Sequence, residues 1–135
     1  MPSSLSQSVV LLDDEESYTE LASMLLSGAL KCPVHGFLRP TAALKELATL
    51  RPAVVVTDFS MPEMNGIEFI RQANLLSPGT VFVMITGNDL SARQDDLDRL
   101  QSLRGLLGKP FSWRVLADEI LRVWPEGLAP PASQS

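Results

Sequence analysis

The sequence predicts one doubly wound α/β domain of three layers, a parallel sheet with helices on both faces. Two observations carry this. Short continuous apolar runs alternate five times with segments whose apolar residues recur at helical spacing. Each connection between successive runs is also long enough to hold a helix, which makes the strands parallel. With 135 residues the chain has room for one such domain and its core, and too little for two.

Val9-Val10-Leu11-Leu12 is the first strand, an unbroken apolar run as expected where both faces are covered. Tyr18, Leu21, Ala22, Leu25 and Leu26 then mark one helix face, with Gly28 as a stop. Residues 34–38 form a weak second strand. Pro40 opens a second helix with Ala43, Leu44, Leu47 and Ala48 inward, closing before Pro52. Residues 53–56 are the third strand. Asn65-Gly66 leads into a helix with Ile67, Ile70 and Ala73 inward, ended by Ser77-Pro78-Gly79. Residues 81–85 are a fourth buried strand. Residues 90–100 predict a helix whose exposed side carries Asp95, Asp96 and Asp98. Gly105-Leu106-Leu107 is a short fifth strand. Ser112 is the N-cap of a last helix, with Phe111 and Leu116 at staple positions. Leu116, Ile120, Val123 and Trp124 form its buried face. Residues 1–7 and 125–135 are polar or Pro-rich and read as disordered tails around a domain over 8–124.

Composition narrows the function. The net charge is −5, and the eleven basic residues are scattered without forming a run. That argues against direct binding to nucleic acid, which needs clustered Lys and Arg. No apolar run approaches the roughly 20 residues of a membrane span. The N-terminus has neither a basic stretch nor a separate apolar stretch of a signal peptide, so a cytoplasmic location is expected. The single cysteine, Cys32, reads as a buried small hydrophobe. The single histidine, His35, reads as a half-buried strand residue, and a histidine-based triad or metal site would rest on it alone.

Sheets of this class bind ligands outside the carboxyl ends of their strands. There the first strand is followed by Asp13-Asp14-Glu15-Glu16, the third by Asp58, the fourth by Thr86-Gly87 and the fifth by Lys109-Pro110. Each has an ordinary reading alone: acidic residues cap helices, a threonine starts one, a lysine is solvated. Four strands delivering them to one rim suit phosphoryl transfer. One carboxylate pair 4 Å apart costs about 4 kcal/mol at an effective dielectric near 20. Mg2+ (or Mn2+), which takes a few carboxylates plus water, removes that repulsion. Lys109 supplies a point charge for a phosphoryl oxygen, Thr86 a hydroxyl, and Gly87 an approachable backbone N–H. Asp58 stands centrally as the nucleophile of an aspartyl phosphate.

The segments "VVLLDDEES", "VVVTDFSMPEMNG", "VMITG" and "GKPF", spread over about residues 8–124, resemble the receiver domain of two-component response regulators. The resemblance implies a (βα)5 flavodoxin-like fold with sheet order 2-1-3-4-5. It implies a phosphorelay switch, catalysing its own phosphorylation and dephosphorylation. A histidine kinase or histidine phosphotransfer protein would give its phosphoryl group to Asp58. A downstream effector protein or a fused output domain would read the result. Asp14, Asp58 and the backbone carbonyl of Ser60 would ligate Mg2+ directly, with Asp13 acting largely through water. Thr86 would be the switch hydroxyl, Lys109 would bind phosphate, and the Lys109–Pro110 bond would be cis. Two features depart from the family pattern. Leu106 stands where the family often has a Tyr or Phe partner for the switch threonine, and after Trp124 only a short tail remains. The chain is then a single-domain regulator or a receiver from a larger regulator or hybrid kinase.

Two other readings compete. A pseudo-receiver, acting as a phosphorylation-independent protein-binding module, has no need for crowded like charges. A haloacid-dehalogenase-type phosphatase also uses an Asp after a parallel strand. It wants a second carboxylate two residues on, where this chain has Ser60, and a cap domain for which the chain lacks length.

Overall fold

The computed structural model describes residues 5–131. The elements follow in the order β1 (Ser6–Leu12), α1 (Glu16–Leu30), β2 (Val34–Phe37), α2 (Pro40–Leu50), β3 (Pro52–Asp58), α3 (Gly66–Leu76), β4 (Val81–Thr86), a 3-10 turn (Ser91–Arg93), α4 (Gln94–Asp98), β5 (Leu103–Gly108) and α5 (Trp113–Arg122). All four strand pairings are parallel, in the order β2-β1-β3-β4-β5. This is the doubly wound (βα)5 flavodoxin-like fold predicted.

Side chains alternate across the sheet, and so the core divides in two. Val9, Leu11, Val54, Val56, Val83 and Ile85 face α1 and α5. Val10, Leu12, Val55, Phe82 and Met84 face α2, α3 and α4. Covering both faces explains why β1, β3 and β4 read as unbroken apolar runs.

Several boundaries differ from expectation. β1 starts at Ser6, within the segment read as a tail. Ser6 N–H donates to the Arg51 carbonyl (2.8 Å), and its hydroxyl donates to the Leu50 carbonyl (2.8 Å). At the other end, residues 125–131 fold back rather than trail away. Gln7 Nε2 donates to the Ala129 carbonyl (2.7 Å), Trp124 Nε1 donates to the same oxygen (3.1 Å), and Leu128 packs on the core. Residues 1–4 and 132–135, the rest of the expected tails, lie outside the described residues.

α1 runs through Gly28 to Leu30, and Lys31 in the left-handed conformation (φ 58°) caps it. The extra turn buries Leu30 one turn beyond Leu26, which outweighs the cost of one exposed glycine. Its inward face is Thr19, Ala22, Leu26 and Leu30, while Leu21 is exposed. Ala48 of α2 is exposed, and Phe69 of α3, absent from the predicted face, is fully buried edge-on to Phe82. The fourth helix is much shorter than predicted. The Asp89 carboxylate accepts from Ser91 N–H (2.9 Å) and winds the chain into the 3-10 turn first. α4 has no side-chain N-cap, and Leu100 N–H bonds to the Leu97 carbonyl three residues back, closing it. Leu90, Leu97 and Leu100 still anchor this segment in the core.

Candidate functional site

The carboxyl ends of β1, β3, β4 and β5 deliver the site residues to one rim. β3 ends on Asp58, which is buried. The next residue continues the ladder: Phe59 N–H donates to the Ile85 carbonyl (2.8 Å). The chain then turns back, with Gly66 N–H donating to the Phe59 carbonyl (2.8 Å). Gly66 is required here, because a Cβ would lie 2.9 Å from the Asp58 carbonyl oxygen and 3.2 Å from Phe59 Cα. Asn65 caps α3 through a capping box with Glu68, with N–H to oxygen distances of 3.0 and 3.1 Å. The loop is tied to α2 where Thr41 N–H and Oγ1 donate to Glu63 Oε1 (3.2 and 3.0 Å). Strand, turn and cap together fix where the Asp58 carboxylate points.

Asp13, Asp14 and Asp58 could hold a cation. Each offers a carboxylate oxygen, and these oxygens lie within 4.8 Å of one another. The donors are all hard carboxylate oxygens on a crowded, partly buried rim, a set that fits Mg2+ or Mn2+ far better than a soft metal. Asp13 Oδ1 accepts from Glu15 N–H (2.9 Å), which fixes its orientation at the start of α1. Ser60 follows two residues after the strand, its hydroxyl 3.5 Å from Asn88 Nδ2.

Lys109 Nζ lies 3.3 Å from Asp58 Oδ2. Even so, burial holds the Asp58 carboxyl above the usual carboxylate range. The Lys109 charge and the Phe59 N–H pull it back only in part, and Asp14 pushes it up. Asp13 is raised as well, chiefly by burial. The Glu15 N–H and Lys109 oppose this, while Asp58 and Asp14 add to it. Both buried carboxyls thus resist ionisation, chiefly because of burial and with neighbouring aspartates adding to it.

Thr86 closes β4 and is nearly buried. Its hydroxyl accepts from Asn88 N–H (2.9 Å) and donates to the Asn88 carbonyl (3.2 Å), so it is engaged with the loop beyond the strand. Gly87 has open space around it, the nearest neighbour of a Cβ being Lys109 Cδ at 3.9 Å. Lys109 N–H bonds to the Thr86 carbonyl (2.8 Å), and the Lys109–Pro110 peptide bond is cis. Leu106 on β5 is paired beside Met84 and is 49% exposed, away from the cluster.

Two neighbours escaped sequence reading. Asn88 holds the Thr86 hydroxyl through its main chain, for which no side-chain signal exists. Tyr18 belongs to the predicted face of the first helix. It also lines a cleft beside Asp13 and Lys109. Cys32 and His35, buried and half-buried, lie outside the cluster.

Residues 9–121 match the family described as response regulator receiver domain. A transcriptional regulatory protein CpxR homolog from Haemophilus influenzae is 33% identical over 130 residues, covering 90% of this chain and 52% of that protein. A protein-glutamate methylesterase/protein-glutamine glutaminase 2 from Burkholderia thailandensis is 33% identical over 94 residues, covering 69% of this chain and 26% of that protein. The chain thus spans between about a quarter and a half of these relatives. Among solved structures, the Vibrio cholerae chemotaxis protein CheY4 superposes with a TM-score of 0.78 at 25% identity, covering 87% of this chain and 98% of that one. Among the described residues, no helix is long and apolar enough to cross a membrane.

Proposed function

The chain belongs to the response regulator receiver domain family of two-component signalling, and on that premise we propose that it is a working phosphoacceptor with Asp58 as the nucleophile. The observation that carries this is the pairing of a buried Asp58 with Lys109 at 3.3 Å inside a three-carboxylate cluster. A protein used only as a scaffold gains nothing from that arrangement.

An Asp58 carboxylate oxygen attacks the phosphorus of a phosphohistidine. The O–P bond forms as the P–N bond breaks, and the imidazole leaves with the electron pair and takes up a proton. Lys109, already beside the carboxylate, shifts its charge onto a phosphoryl oxygen. The backbone N–H after Thr86 and the Thr86 hydroxyl serve a second oxygen once the hydroxyl leaves Asn88. Asp13, Asp14, Asp58 and the Ser60 carbonyl would hold Mg2+, which supplies the positive charge that the carboxylates and the transferring group need. Hydrolysis is a second transfer: water attacks the phosphorus, the bond to the Asp58 oxygen breaks, and inorganic phosphate leaves with the carboxylate restored.

Movement of Thr86 off Asn88 biases the segment between β4 and α4, and this is the change a partner reads. The donor is a histidine kinase or histidine phosphotransfer protein, and the reader is an effector protein or a fused output domain. A cytoplasmic location accords with such partners.

The test is mass spectrometry after incubation with phosphoramidate or acetyl phosphate and Mg2+. One acid-labile phosphoryl group is expected, lost in Asp58→Asn. No adduct, or one that survives the substitution, defeats the assignment.

A further inference from the structure

Tyr18 is the single tyrosine of the chain. Its hydroxyl is buried and has no hydrogen-bond partner among the described residues. The residue stands in the first turn of α1, where its backbone N–H donates to the Glu15 carboxylate at 2.8 Å. It lines a cleft of about 300 Å3 with Asp13, Glu15, Lys109, Pro110 and Phe111. Asp13 and Lys109 belong to the rim cluster, so this cleft is a lateral extension of the phosphoacceptor site.

The ring itself packs against the core on the α1 side of the sheet. A phenylalanine would serve that packing equally well. The hydroxyl is therefore surplus to folding. A buried donor without a partner is costly, and such groups call for an explanation. The chemistry nearby supplies one. Asp13 lines the same cleft as the ring, and its carboxylate lies within 4.8 Å of that of Asp58. Burial holds the phenol above its ordinary pKa, so it stays protonated and available as a donor. What is missing is an acceptor that arrives with the reaction. A phosphoryl group brings three non-bridging oxygens with several lone pairs each. Lys109, the Thr86–Gly87 segment and a cation do not exhaust them.

We propose that the Tyr18 hydroxyl is a further phosphoryl-binding group, donating a hydrogen bond to an oxygen of the group carried on Asp58. The inference rests on the phosphoacceptor reading above.

The test uses the full chain and Tyr18→Phe. With phosphoramidate and Mg2+, the initial phosphorylation rate of the variant is expected to fall about tenfold, the effect of one hydrogen bond to a charged acceptor. Its affinity for beryllofluoride, an unreactive stand-in for the phosphoryl group, should fall by a similar factor. Its melting temperature in metal-free buffer should be unchanged or higher, because the lost hydroxyl had no partner in the fold. Equal rates and equal beryllofluoride affinities overturn the proposal. A slower variant that also melts lower overturns it too, since the hydroxyl would then be structural. Because Tyr18 is the single tyrosine, 3-fluorotyrosine labelling gives one protein fluorine resonance. That resonance should shift when the adduct forms and stay fixed in Asp58→Asn treated alike. An adduct seen by mass spectrometry with the resonance unmoved defeats the Tyr18 role alone. No adduct on the wild type defeats the phosphoacceptor reading and the Tyr18 role with it.

Discussion

Asp13→Asn isolates the electrostatic cost of building this site. The substitution removes one charge and keeps the carbonyl-type oxygen that accepts from Glu15 N–H at 2.9 Å. The Asp13 and Asp58 carboxylate oxygens lie within 4.8 Å of each other, and both residues are buried. Two unit charges at that distance repel by about 3.5 kcal/mol at an effective dielectric near 20. Weakening a charge-assisted hydrogen bond to a neutral one gives back about 1 kcal/mol, and salt screens part of the rest. The variant should therefore be more stable than wild type by about 1–2 kcal/mol at pH 7 without metal. For a domain of this size that corresponds to a rise of about 3–8 °C in melting temperature.

The pH dependence follows from the direction of the shift. The Asp13 carboxyl is held above its ordinary value in the fold. The folded protein therefore binds this proton more readily than the unfolded chain does. The wild-type contribution is most favourable below the unfolded pKa, near 4, and is lost as pH rises through the folded value. The advantage of Asn over Asp should accordingly be absent in acid, grow across that window and level off at neutral pH. Urea or thermal denaturation in EDTA from pH 3.5 to 7.5 measures it. A variant that is less stable at pH 7, or whose advantage does not change with pH, refutes the reasoning. Adding Mg2+ should raise the wild type more than the variant and narrow the gap.

Lys109→Met removes the cation 3.3 Å from Asp58 and should lower metal-free stability at pH 7. The two proteins should converge in acid, where Asp58 is protonated, as pH-dependent melting will show. Gly66→Ala places a Cβ 2.9 Å from the Asp58 carbonyl oxygen and should cost about 2–4 kcal/mol by denaturant titration. It should also slow phosphorylation, because the same turn aims Asp58. Cys32 is buried, and burial raises its thiol pKa. Its reaction with a disulfide reagent should be slow in the native protein and accelerate sharply in urea.

The sheet and the rim were legible because both rest on local pattern. Strands covered on both faces read as unbroken apolar runs, and polar residues immediately after them fall at the carboxyl rim wherever the strand ends. Errors arose where tertiary context competes with local preference. Gly28 signals a stop, but burial of Leu30 carries α1 past it. The apolar spacing of Leu90, Leu97 and Leu100 is real and buried, yet Asp89 and Ser91 spend the first turn on side-chain bonding, which leaves an α-helix of five residues. Residues 6–7 and 125–131 depart from the expected tails because Gln7 and Trp124 find their common partner, the Ala129 carbonyl, only once β1 and α5 are side by side. Asn88 and Tyr18 bring a main-chain amide and an unpartnered hydroxyl to the neighbourhood of the site, and neither leaves a motif.

The same contrast bears on how the site would communicate. In β5, Gly105 leaves room for the Glu119 carboxylate, which is bonded to Arg122 Nε (2.9 Å), while Arg122 reaches the Arg104 carbonyl (3.1 Å). That bracket ties α5 to β5 next to Leu106. Leu106 is already half-exposed and lacks a ring that could swing into space vacated by Thr86. On the other side of Thr86 the short 3-10 turn and α4 are held by the Asp89–Ser91 bond, three leucines, Arg93 over Phe59 and an exposed Arg71–Asp96 pair at 3.5 Å. A switch equilibrium moves where opening costs least. In this chain the segment from Asn88 to Leu100 is then the one expected to move, with the β5–α5 bracket as the fixed frame. The displacement of one hydroxyl from Asn88 would therefore be expressed in the β4–α4 segment rather than through a side-chain rotation on β5.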